Sequence, residues 1–367
     1  MTKTFQAAVV QEKAARFDIR ALTLDEPRAN EVVVRIHAVG VCHTDLSMQA
    51  QHMPVSFPAV FGHEGAGVVE AVGSAVTKVA PGDHVVLGFA SCGSCRQCLR
   101  GLPSYCADYY GQNFGGARPD GTSALRSEGK SVAGHFFGQS SFGELSLAYE
   151  RNVIKVPHDI PLELLGPLGC GVQTGAGAIL RSLRVESGSS VVVFGTGAVG
   201  LSAVMAARVA GATQIIGVDL DASRRALALD LGATEVLDGA TPDIVSQIQK
   251  LTNGGANYTI ETTGQPQVLS NAVDSLMVTG ICGAIGGSPT GTTAAINMNN
   301  LIFGRTIRGI CEGDSVPELF IPELIELYRQ GRFPLDRLIR TYPFNEINQA
   351  CEDARSGRVV KPVLTFP

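Results

Sequence analysis

Apolar residues follow two different patterns along this chain of 367 residues. Up to about residue 90, short β-branched runs such as EVVVRIHAVGV, GAGVVEAVG and DHVVLGF alternate with Gly, Pro and Asp. Short runs of this kind between turn-forming residues are typical of strands. The first part of the chain is therefore predicted to be a compact, mainly β domain.

After Pro157 the pattern changes to alternating strands and helices. SGSSVVVFGTGAVGLSAVMAARVAGATQIIGVDLD reads as a strand, a glycine turn, a small-residue helix and a second strand, and the alternation continues to RTIRGIC. Six strands with intervening helices predict a doubly wound parallel sheet of the Rossmann type. The tail GRVVKPVLTFP is strand-like and is expected to return to the first domain. We therefore expect an α/β protein with a mainly β domain at 1–172 and 314–367 and a nucleotide-binding domain at 173–313.

The stretch 111–145 is rich in Gly and Ser and shows little periodicity, so we expect a lobe of loops over the site. Phe89, Phe136 and Phe137 are candidates for the wall of an apolar substrate cleft, although a single phenylalanine of this kind is more often an ordinary core residue.

Composition excludes some classes of partner. The formal net charge is −5 and the pI is near 5.8, so nothing suggests nucleic-acid binding. The uncharged run Ser187–Ala207 is long enough for a membrane span, but its GTG interruption favours a buried strand followed by a helix. MTKTFQAAVV lacks the apolar centre of a signal peptide, so a cytoplasmic protein without membrane contact is expected.

Four of the nine cysteines lie close together in CGSCRQCLRGLPSYC. Clustered thiols in a chain without a secretion signal are more often metal ligands than disulfides. Four thiolates fill a tetrahedral zinc shell, which makes such a site structural. An iron–sulfur cluster uses similar C-x-x-C spacing, but the seven-residue gap before the last cysteine and the absence of a following Pro favour zinc. The predicted ligands are Cys92, Cys95, Cys98 and Cys106.

A second candidate metal site lies in GVCHTDLSMQAQHMPVSFPAVFGHEGAG. Cys42 and His63 are a thiolate and an imidazole, which suit zinc, and Cys170 in GPLGCGVQTGAG is the best candidate for a third ligand. Three protein ligands leave a fourth position open for water or substrate, as in catalytic zinc sites. Asp45 and Glu64 lie beside the ligands in sequence, as carboxylates that orient a metal site do.

The glycines Gly195, Gly197 and Gly200 fit G-x-G-x-x-G between a predicted strand and a predicted helix. In that context the pattern predicts a dinucleotide pyrophosphate site at the helix N-terminus. Asp219, at the end of the second strand, can accept hydrogen bonds from a ribose and would repel a 2′-phosphate, so NAD is preferred over NADP. Arg224 nearby is a candidate coenzyme contact that could soften this preference, or a solvated residue of the next helix.

Taken together, these motifs resemble the zinc-dependent medium-chain alcohol dehydrogenases over essentially the whole chain. GHEGAGVVEAVGSAV (Gly62–Val76) is similar to the zinc signature of that family, and KPVLTF is similar to its usual ending. The resemblance implies a GroES-like catalytic domain, an active site in the cleft beside the NAD domain, and a homo-oligomer, a dimer or tetramer. It also implies a catalytic zinc at Cys42, His63 and Cys170 and a structural zinc at the four clustered cysteines.

The resemblance further assigns roles to single residues. Thr44 would take the substrate proton, with Ser47 standing where many members end the relay with a histidine, while Asp45 would orient His63 and Glu64 would lie behind the metal. Phosphate contacts with the coenzyme are implied for His43 and Lys361, and Thr174 and Arg224 are further candidates for coenzyme contacts. The aryl-alcohol branch of the family is the most similar to the 111–145 lobe, and it places Phe89 and Phe136 in the substrate pocket.

The implied reaction is hydride transfer between a primary aryl or allylic alcohol and NAD, which gives the aldehyde. S-(hydroxymethyl)glutathione dehydrogenase and a broad aliphatic alcohol dehydrogenase are the alternatives within the family. The loop QAQHMPVSFP contains no acid or arginine to grip an anionic glutathione adduct. A non-catalytic relative of the fold is the alternative from another class, and it commonly lacks the complete ligand set that is present here.

Overall fold

The computed structural model describes residues 3–367. The strands are β1 (Lys3–Val10), β2 (Asp18–Leu24), β3 (Glu31–Gly40), β4 (Ala59–Val60), β5 (Gly65–Val72), β6 (His84–Leu87), β7 (Leu125–Ser127), β8 (Lys130–Val132), β9 (Leu145–Tyr149), β10 (Val153–Lys155), β11 (Ser190–Phe194), β12 (Gln214–Asp219), β13 (Glu235–Asp238), β14 (Ala256–Glu261), β15 (Leu276–Ala284), β16 (Thr306–Gly309), β17 (Ile339–Pro343) and β18 (Lys361–Thr365).

The α-helices are α1 (His43–Gln49), α2 (Arg96–Leu99), α3 (Tyr109–Phe114), α4 (Leu162–Leu165), α5 (Gly171–Gly177), α6 (Ala198–Ala210), α7 (Ala222–Asp230), α8 (Ile244–Leu251), α9 (Pro266–Asp274), α10 (Met298–Ile302), α11 (Pro317–Arg329) and α12 (Ile347–Ser356). Short 3-10 turns occur at Phe136–Gly138 and Gly166–Gly169, among other places, and a π-helix spans Ala178–Leu183. Within the described residues, no helix is long and apolar enough to cross a membrane.

The first of two compact units contains the described residues up to Cys170, together with Val316–Pro322 and Asp336–Pro367. One of its sheets has the order β4-β1-β2-β7-β8, and the other has the order β10-β6-β5-β3-β18-β17 with β9 also paired to β3. β3 is central in the second sheet, which explains why its only exposed side chains are Arg35 and His37. The tail strand β18 pairs antiparallel with β3, so the end of the chain completes this unit as expected.

The second unit comprises Gly171–Ser315 and Glu323–Leu335. Its six strands are all parallel, in the order β13-β12-β11-β14-β15-β16. The run VVVF of β11 is fully buried, because parallel sheets carry helices on both faces. The predicted α/β fold, a doubly wound sheet with a second, mainly β part, is confirmed.

Two segments differ from the sequence-based expectation. Helix α11 changes units after Pro322, so Glu323–Leu335 groups with the second unit although the sequence assigned it to the first domain. Buried residues occur on both sides of that proline, Phe320 before it and Leu324 after it. The 111–145 lobe also contains more structure than loops, because α3 extends into it and β7 and β8 join the sheet of β1 and β2.

Candidate metal centres and nucleotide site

Cys42, His63 and Cys170, which we call the Cys–His set, belong to the first unit, where His63 and Cys170 are buried and Cys42 is half-buried. Their ligand atoms and one carboxylate oxygen of Glu64 all lie within 4.8 Å of one another. Cys42 stands at the start of α1, His63 lies between β4 and β5, and Cys170 follows the 3-10 turn Gly166–Gly169. The structure therefore brings together residues up to 128 positions apart, as the sequence predicted on chemical grounds alone.

The imidazole of His63 is fully buried and fixed by a carboxylate. Its Nδ1 lies 2.9 Å from Asp45 Oδ1, and this oxygen also accepts a hydrogen bond from the Gly62 backbone N–H at 2.9 Å. The second oxygen of Asp45 accepts from the backbone N–H of Cys42 at 2.9 Å. His63 Nε2 is buried and has no hydrogen-bond partner among the described residues. A buried imidazole nitrogen without a partner, close to two thiol sulfurs, fits a zinc ligand set.

The charges around the Cys–His set favour binding of a cation. The pKa of Cys42 lies well below its ordinary value, because the Cys170 side chain hydrogen-bonds to it and Lys361 adds positive charge, against the effect of burial. Burial lowers the pKa of His63, but the charge and hydrogen bond of Asp45 outweigh it and raise this pKa well above its usual range. A thiolate is the form of cysteine that binds metal, so the low pKa of Cys42 supports ligation.

Glu64 and Lys361 form a buried ion pair behind the Cys–His set. Lys361 Nζ lies 2.8 and 2.9 Å from the two carboxylate oxygens and 3.3 Å from the Val41 carbonyl oxygen. Burial raises the pKa of Glu64 to about 6, while Lys361 acts in the opposite direction. Gly40 is required here, since a Cβ at this position would lie 1.9 Å from a Glu64 carboxylate oxygen. The sequence analysis assigned Lys361 to a coenzyme phosphate, whereas its ammonium here contacts Glu64; the phosphate contact stays a prediction.

The four-cysteine set, Cys92, Cys95, Cys98 and Cys106, is built differently. All four sulfurs lie within 4.8 Å of one another, and Cys92 Sγ is 4.0 Å from Cys98 Sγ. Thiolates about 2.3 Å from a tetrahedral zinc lie about 3.8 Å apart, so this spacing fits the ion. Backbone N–H groups of Cys95 and Cys92 donate to Cys92 Sγ and Cys106 Sγ, each at 3.3 Å. Hydrogen bonds from the backbone of Ser94 and Cys95 lower the pKa of Cys92 to about 6, while burial raises that of Cys98 to about 12.

Aromatic side chains surround the imidazole of His63. Phe136 meets it edge-on with ring centroids 5.3 Å apart, and Phe137 stacks on it at 4.4 Å with a 25° interplanar angle. The Phe89 ring lies 6.2 Å from that of Tyr109. Phe136 and Phe137, two of the three predicted cleft residues, therefore both contact His63, a predicted metal ligand. Nothing in the sequence indicated these contacts.

Three predicted residues lie on α1, directly after Cys42. Thr44 is half-buried, with its hydroxyl oxygen 3.7 Å from Cys42 Sγ, and Ser47 is half-buried one turn further on. His43, the first residue of α1, is exposed. Only Thr44 is therefore shown in contact with the Cys–His set, and the roles of Ser47 and His43 stay predictions.

In the second unit, a different structural feature favours glycine at each of the three positions of the turn. Gly195 has a φ of +87°, and a Cβ on Gly200 would lie 1.8 Å from the Gly195 carbonyl oxygen. A Cβ on Gly197, which precedes α6, would meet nothing within 4 Å. A dinucleotide-binding turn needs a tight turn at its first glycine, room for the pyrophosphate at its second, and close packing of helix on strand at its third. The three glycines meet these three requirements.

Asp219 stabilises that turn directly. One of its oxygens accepts hydrogen bonds from the Thr196 backbone N–H at 2.7 Å and from the Thr196 hydroxyl at 3.0 Å. Arg224 is half-buried in the first turn of α7, and its Nε has no hydrogen-bond partner among the described residues. The Thr174 hydroxyl donates to a carboxylate oxygen of Glu312 at 3.3 Å within the same unit. The coenzyme contacts of these residues stay predictions.

Gln139 is a buried residue that the sequence analysis missed. Its side-chain amide donates to the His63 carbonyl oxygen at 3.0 Å, and its side-chain oxygen accepts from the Gly65 backbone N–H at 3.1 Å. A single amide in the run HFFGQSSF was the available signal, since a polar side chain among apolar neighbours needs buried partners.

Comparison with known proteins agrees with this geometry. Residues 28–158 match the family described as alcohol dehydrogenase GroES-like domain, and residues 198–329 match the family described as zinc-binding dehydrogenase. Geraniol dehydrogenase from Castellaniella defragrans is 46% identical over 364 residues, which cover 98% of this chain and 97% of that protein.

Two further relatives bear on specificity. The crystal structure of benzyl alcohol dehydrogenase from Acinetobacter calcoaceticus is 48% identical, with a TM-score of 0.97 and full coverage of both chains. S-(hydroxymethyl)glutathione dehydrogenase from Komagataella pastoris is 36% identical over 98% of this chain and 97% of that protein.

Proposed function

Because this chain belongs to the family of zinc-dependent alcohol dehydrogenases, we propose that it oxidises primary aryl or allylic alcohols to aldehydes with NAD as the hydride acceptor. The observation that carries the proposal is the Cys–His set, in which a buried, unpartnered His63 Nε2 lies close to two sulfurs and two phenylalanine rings. Members of the family use zinc and NAD(P), and the four-cysteine set fits the structural zinc.

In this mechanism Cys42, His63 and Cys170 would hold the catalytic zinc. When bound, zinc supplies Lewis acidity, which lowers the pKa of an alcohol hydroxyl. Oxidation removes that hydroxyl proton and one hydride from the adjacent carbon. Thr44 would receive this proton at its hydroxyl oxygen and pass its own proton on, either to Ser47, the next hydroxyl along α1, or to the nicotinamide ribose and water; its contact with Cys42 supports this role. Glu64 balances the charge of Lys361 behind the ligands.

An aryl or allylic substrate is supported by the aromatic wall and by two of the relatives. Phe136 presents its ring beside His63, and flat substrates pack well against phenylalanine rings. Phe89 is a second wall residue of the proposed pocket. The hydroxymethylglutathione alternative is disfavoured because Gln51–Pro58 contains no acid or arginine, and because the relative with that activity is less similar to this chain.

A substrate panel tests this specificity. We expect kcat/KM for benzyl alcohol, cinnamyl alcohol or geraniol to exceed that for ethanol by about 100-fold, and hydroxymethylglutathione to be a poor substrate. Phe136→Leu should reduce the preference for benzyl alcohol, while Phe344→Leu, a buried phenylalanine elsewhere in the same unit, should leave it unchanged. A preference for ethanol or for hydroxymethylglutathione would contradict the proposal.

For the coenzyme, we propose that the glycine turn binds the pyrophosphate and that Asp219 binds the ribose, with Arg224 near the same end of the coenzyme; His43 and Lys361 stay predicted phosphate contacts and Thr174 a predicted coenzyme contact. The free space at Gly197 and the carboxylate at the end of β12 support this assignment. Asp219→Gly should lower the ratio of NAD to NADP efficiency by about 10-fold or more, because the repulsion of a 2′-phosphate is lost. An unchanged ratio would exclude Asp219 as the ribose contact.

We further propose that the protein is a homo-oligomer. β16 lies at the edge of the parallel sheet, and large apolar side chains are exposed next to it in sequence, with Met298 79%, Ile302 75% and Phe303 62% accessible. A sheet edge that is close in sequence to exposed apolar side chains is a candidate for a protein interface. Sedimentation of the wild type and of Ile302→Glu tests this, since the substitution should shift a dimer or tetramer towards monomer.

A further inference from the structure

We propose that the segment His135–Ser141, here called the support loop, positions the imidazole of His63 for metal binding through Phe137 and Gln139. This inference rests on the proposed role of the Cys–His set as the catalytic zinc site. Phe137 and Gln139 are positioning residues in this proposal, since they act on the metal through His63.

The first observation is the direction of the contacts on the imidazole. Asp45 meets Nδ1 at 2.9 Å, and a hydrogen bond to a ring nitrogen lies near the plane of the ring. It therefore resists displacement perpendicular to that plane only weakly. Phe137 stacks on the face of the ring at 4.4 Å, and Phe136 approaches edge-on at 5.3 Å. The hydrogen bond with Asp45 therefore restrains the imidazole within its plane, and the stacked ring of Phe137 restrains it perpendicular to that plane.

The second observation concerns the backbone on both sides of His63. Gln139, which is 1% exposed, donates to the His63 carbonyl oxygen and accepts from the Gly65 N–H. The Ser141 backbone N–H donates to the Gly62 carbonyl oxygen at 2.8 Å. The support loop therefore holds the chain before, at and after the ligand.

The third observation is the conformation of the support loop itself. His135, Phe137, Gly138 and Ser140 all have positive φ, with values of 62°, 52°, 65° and 52°. Three of these four are not glycine, and residues with a Cβ adopt this conformation at an energetic cost. At position 137 glycine would avoid the cost but would remove the ring that covers His63. The stacking of the Phe137 ring on His63 therefore accounts for a phenylalanine, rather than a glycine, at this strained position.

The experiment compares Phe137→Leu with two matched variants. Phe137→Tyr keeps the stacked ring and should behave as the wild type. Phe344→Leu is the control, because Phe344 stacks on Phe366 in nearly the same geometry, 4.4 Å and 28°, away from the metal ligands. Protein loaded with ¹¹³Cd²⁺ reports each set separately by NMR, since a four-thiolate site and a two-thiolate, one-imidazole site have different chemical shifts. The rate of zinc release to a chromogenic chelator is measured on the holoenzyme.

Phe137→Leu should shift or broaden only the resonance of the Cys–His set and accelerate zinc release from it by about 10-fold. Gln139→Met should act in the same direction, because it leaves the His63 carbonyl oxygen without its donor. Phe344→Leu should change neither readout even where it lowers thermal stability equally. Normal metal release and an unchanged resonance in Phe137→Leu, with only KM for benzyl alcohol raised, would make Phe137 a pocket wall and overturn the inference. A wild type showing the four-cysteine resonance alone would overturn the proposed function together with it.

Discussion

The two cysteine-containing sets hold their ligands by different means. In the Cys–His set, side chains distant in sequence surround the ligands: Asp45 holds His63, and the pKa of Cys42 is lowered by the hydrogen bond from Cys170 and by the charge of Lys361. In the four-cysteine set, the sulfurs accept hydrogen bonds mainly from backbone N–H groups within fifteen residues of one another in the chain. The first set is thus held by charged side chains from separate parts of the chain, whereas the second is held by one short segment.

This difference explains why one set suits chemistry and the other suits stability. A ligand held by a buried carboxylate can be oriented and tuned by that carboxylate. A sulfur held by its own local backbone has hydrogen bonds that do not depend on distant side chains. Each set should therefore respond to mutation in its own way.

The largest effect is expected for Cys42→Ser. A hydroxyl is a poor zinc ligand, so the Lewis acidity that contributes several kcal/mol to the reaction is lost, and kcat/KM should fall by about 10³-fold or more. Cys351→Ser, a buried thiol outside both sets, is the control and should retain activity. Retained alcohol oxidation in Cys42→Ser with one zinc missing would remove the Cys–His set from the mechanism.

The second effect is on stability. Cys98→Ser should remove the other zinc and lower the free energy of unfolding by about 3 kcal/mol or more, since structural zinc contributes directly to folding. Freshly prepared protein should keep most of its kcat, because the Cys–His set is intact. Thermal unfolding with zinc analysis measures both quantities; a loss of activity without a loss of stability would reverse the roles of the two sets.

The contrast between local and long-range contacts also explains which features could be predicted from the sequence. The four-cysteine set follows from local spacing, and the turn of Gly195, Gly197 and Gly200 follows from its position between a strand and a helix. Cys170 was reached through the chemistry of zinc, since nothing local links it to His63. The pairing of Lys361 with Glu64 and the role of Gln139 escaped prediction, because these contacts span 297 and 76 residues. The short strands β7 and β8 escaped as well, since three residues are too few to show a period.

A smaller effect is expected for Asp45→Asn, which keeps the size of the side chain and removes its charge. The substitution weakens the hold on His63 Nδ1, so metal affinity of the Cys–His set and kcat should fall by about 10- to 100-fold. The four-cysteine zinc should be retained. Metal titration of the zinc-depleted protein and kcat are the measurements, and a wild-type affinity would show that Asp45 has no part in holding the ligand.

The smallest effect is expected for Ser94→Ala, the corresponding change in the four-cysteine set. The Ser94 hydroxyl lies 3.7 Å from Cys92 Sγ and is exposed, while the backbone N–H of Cys95 donates to the same sulfur at 3.3 Å. The backbone donors survive the substitution, so zinc release and the unfolding midpoint should stay within about twofold and about 2 °C of the wild type. Asp45→Asn weakens a side-chain contact to a predicted metal ligand and Ser94→Ala removes one, yet only the first should matter. A large loss of zinc affinity in Ser94→Ala would show that side chains also govern the four-cysteine set, and the distinction between the two sets would then fail.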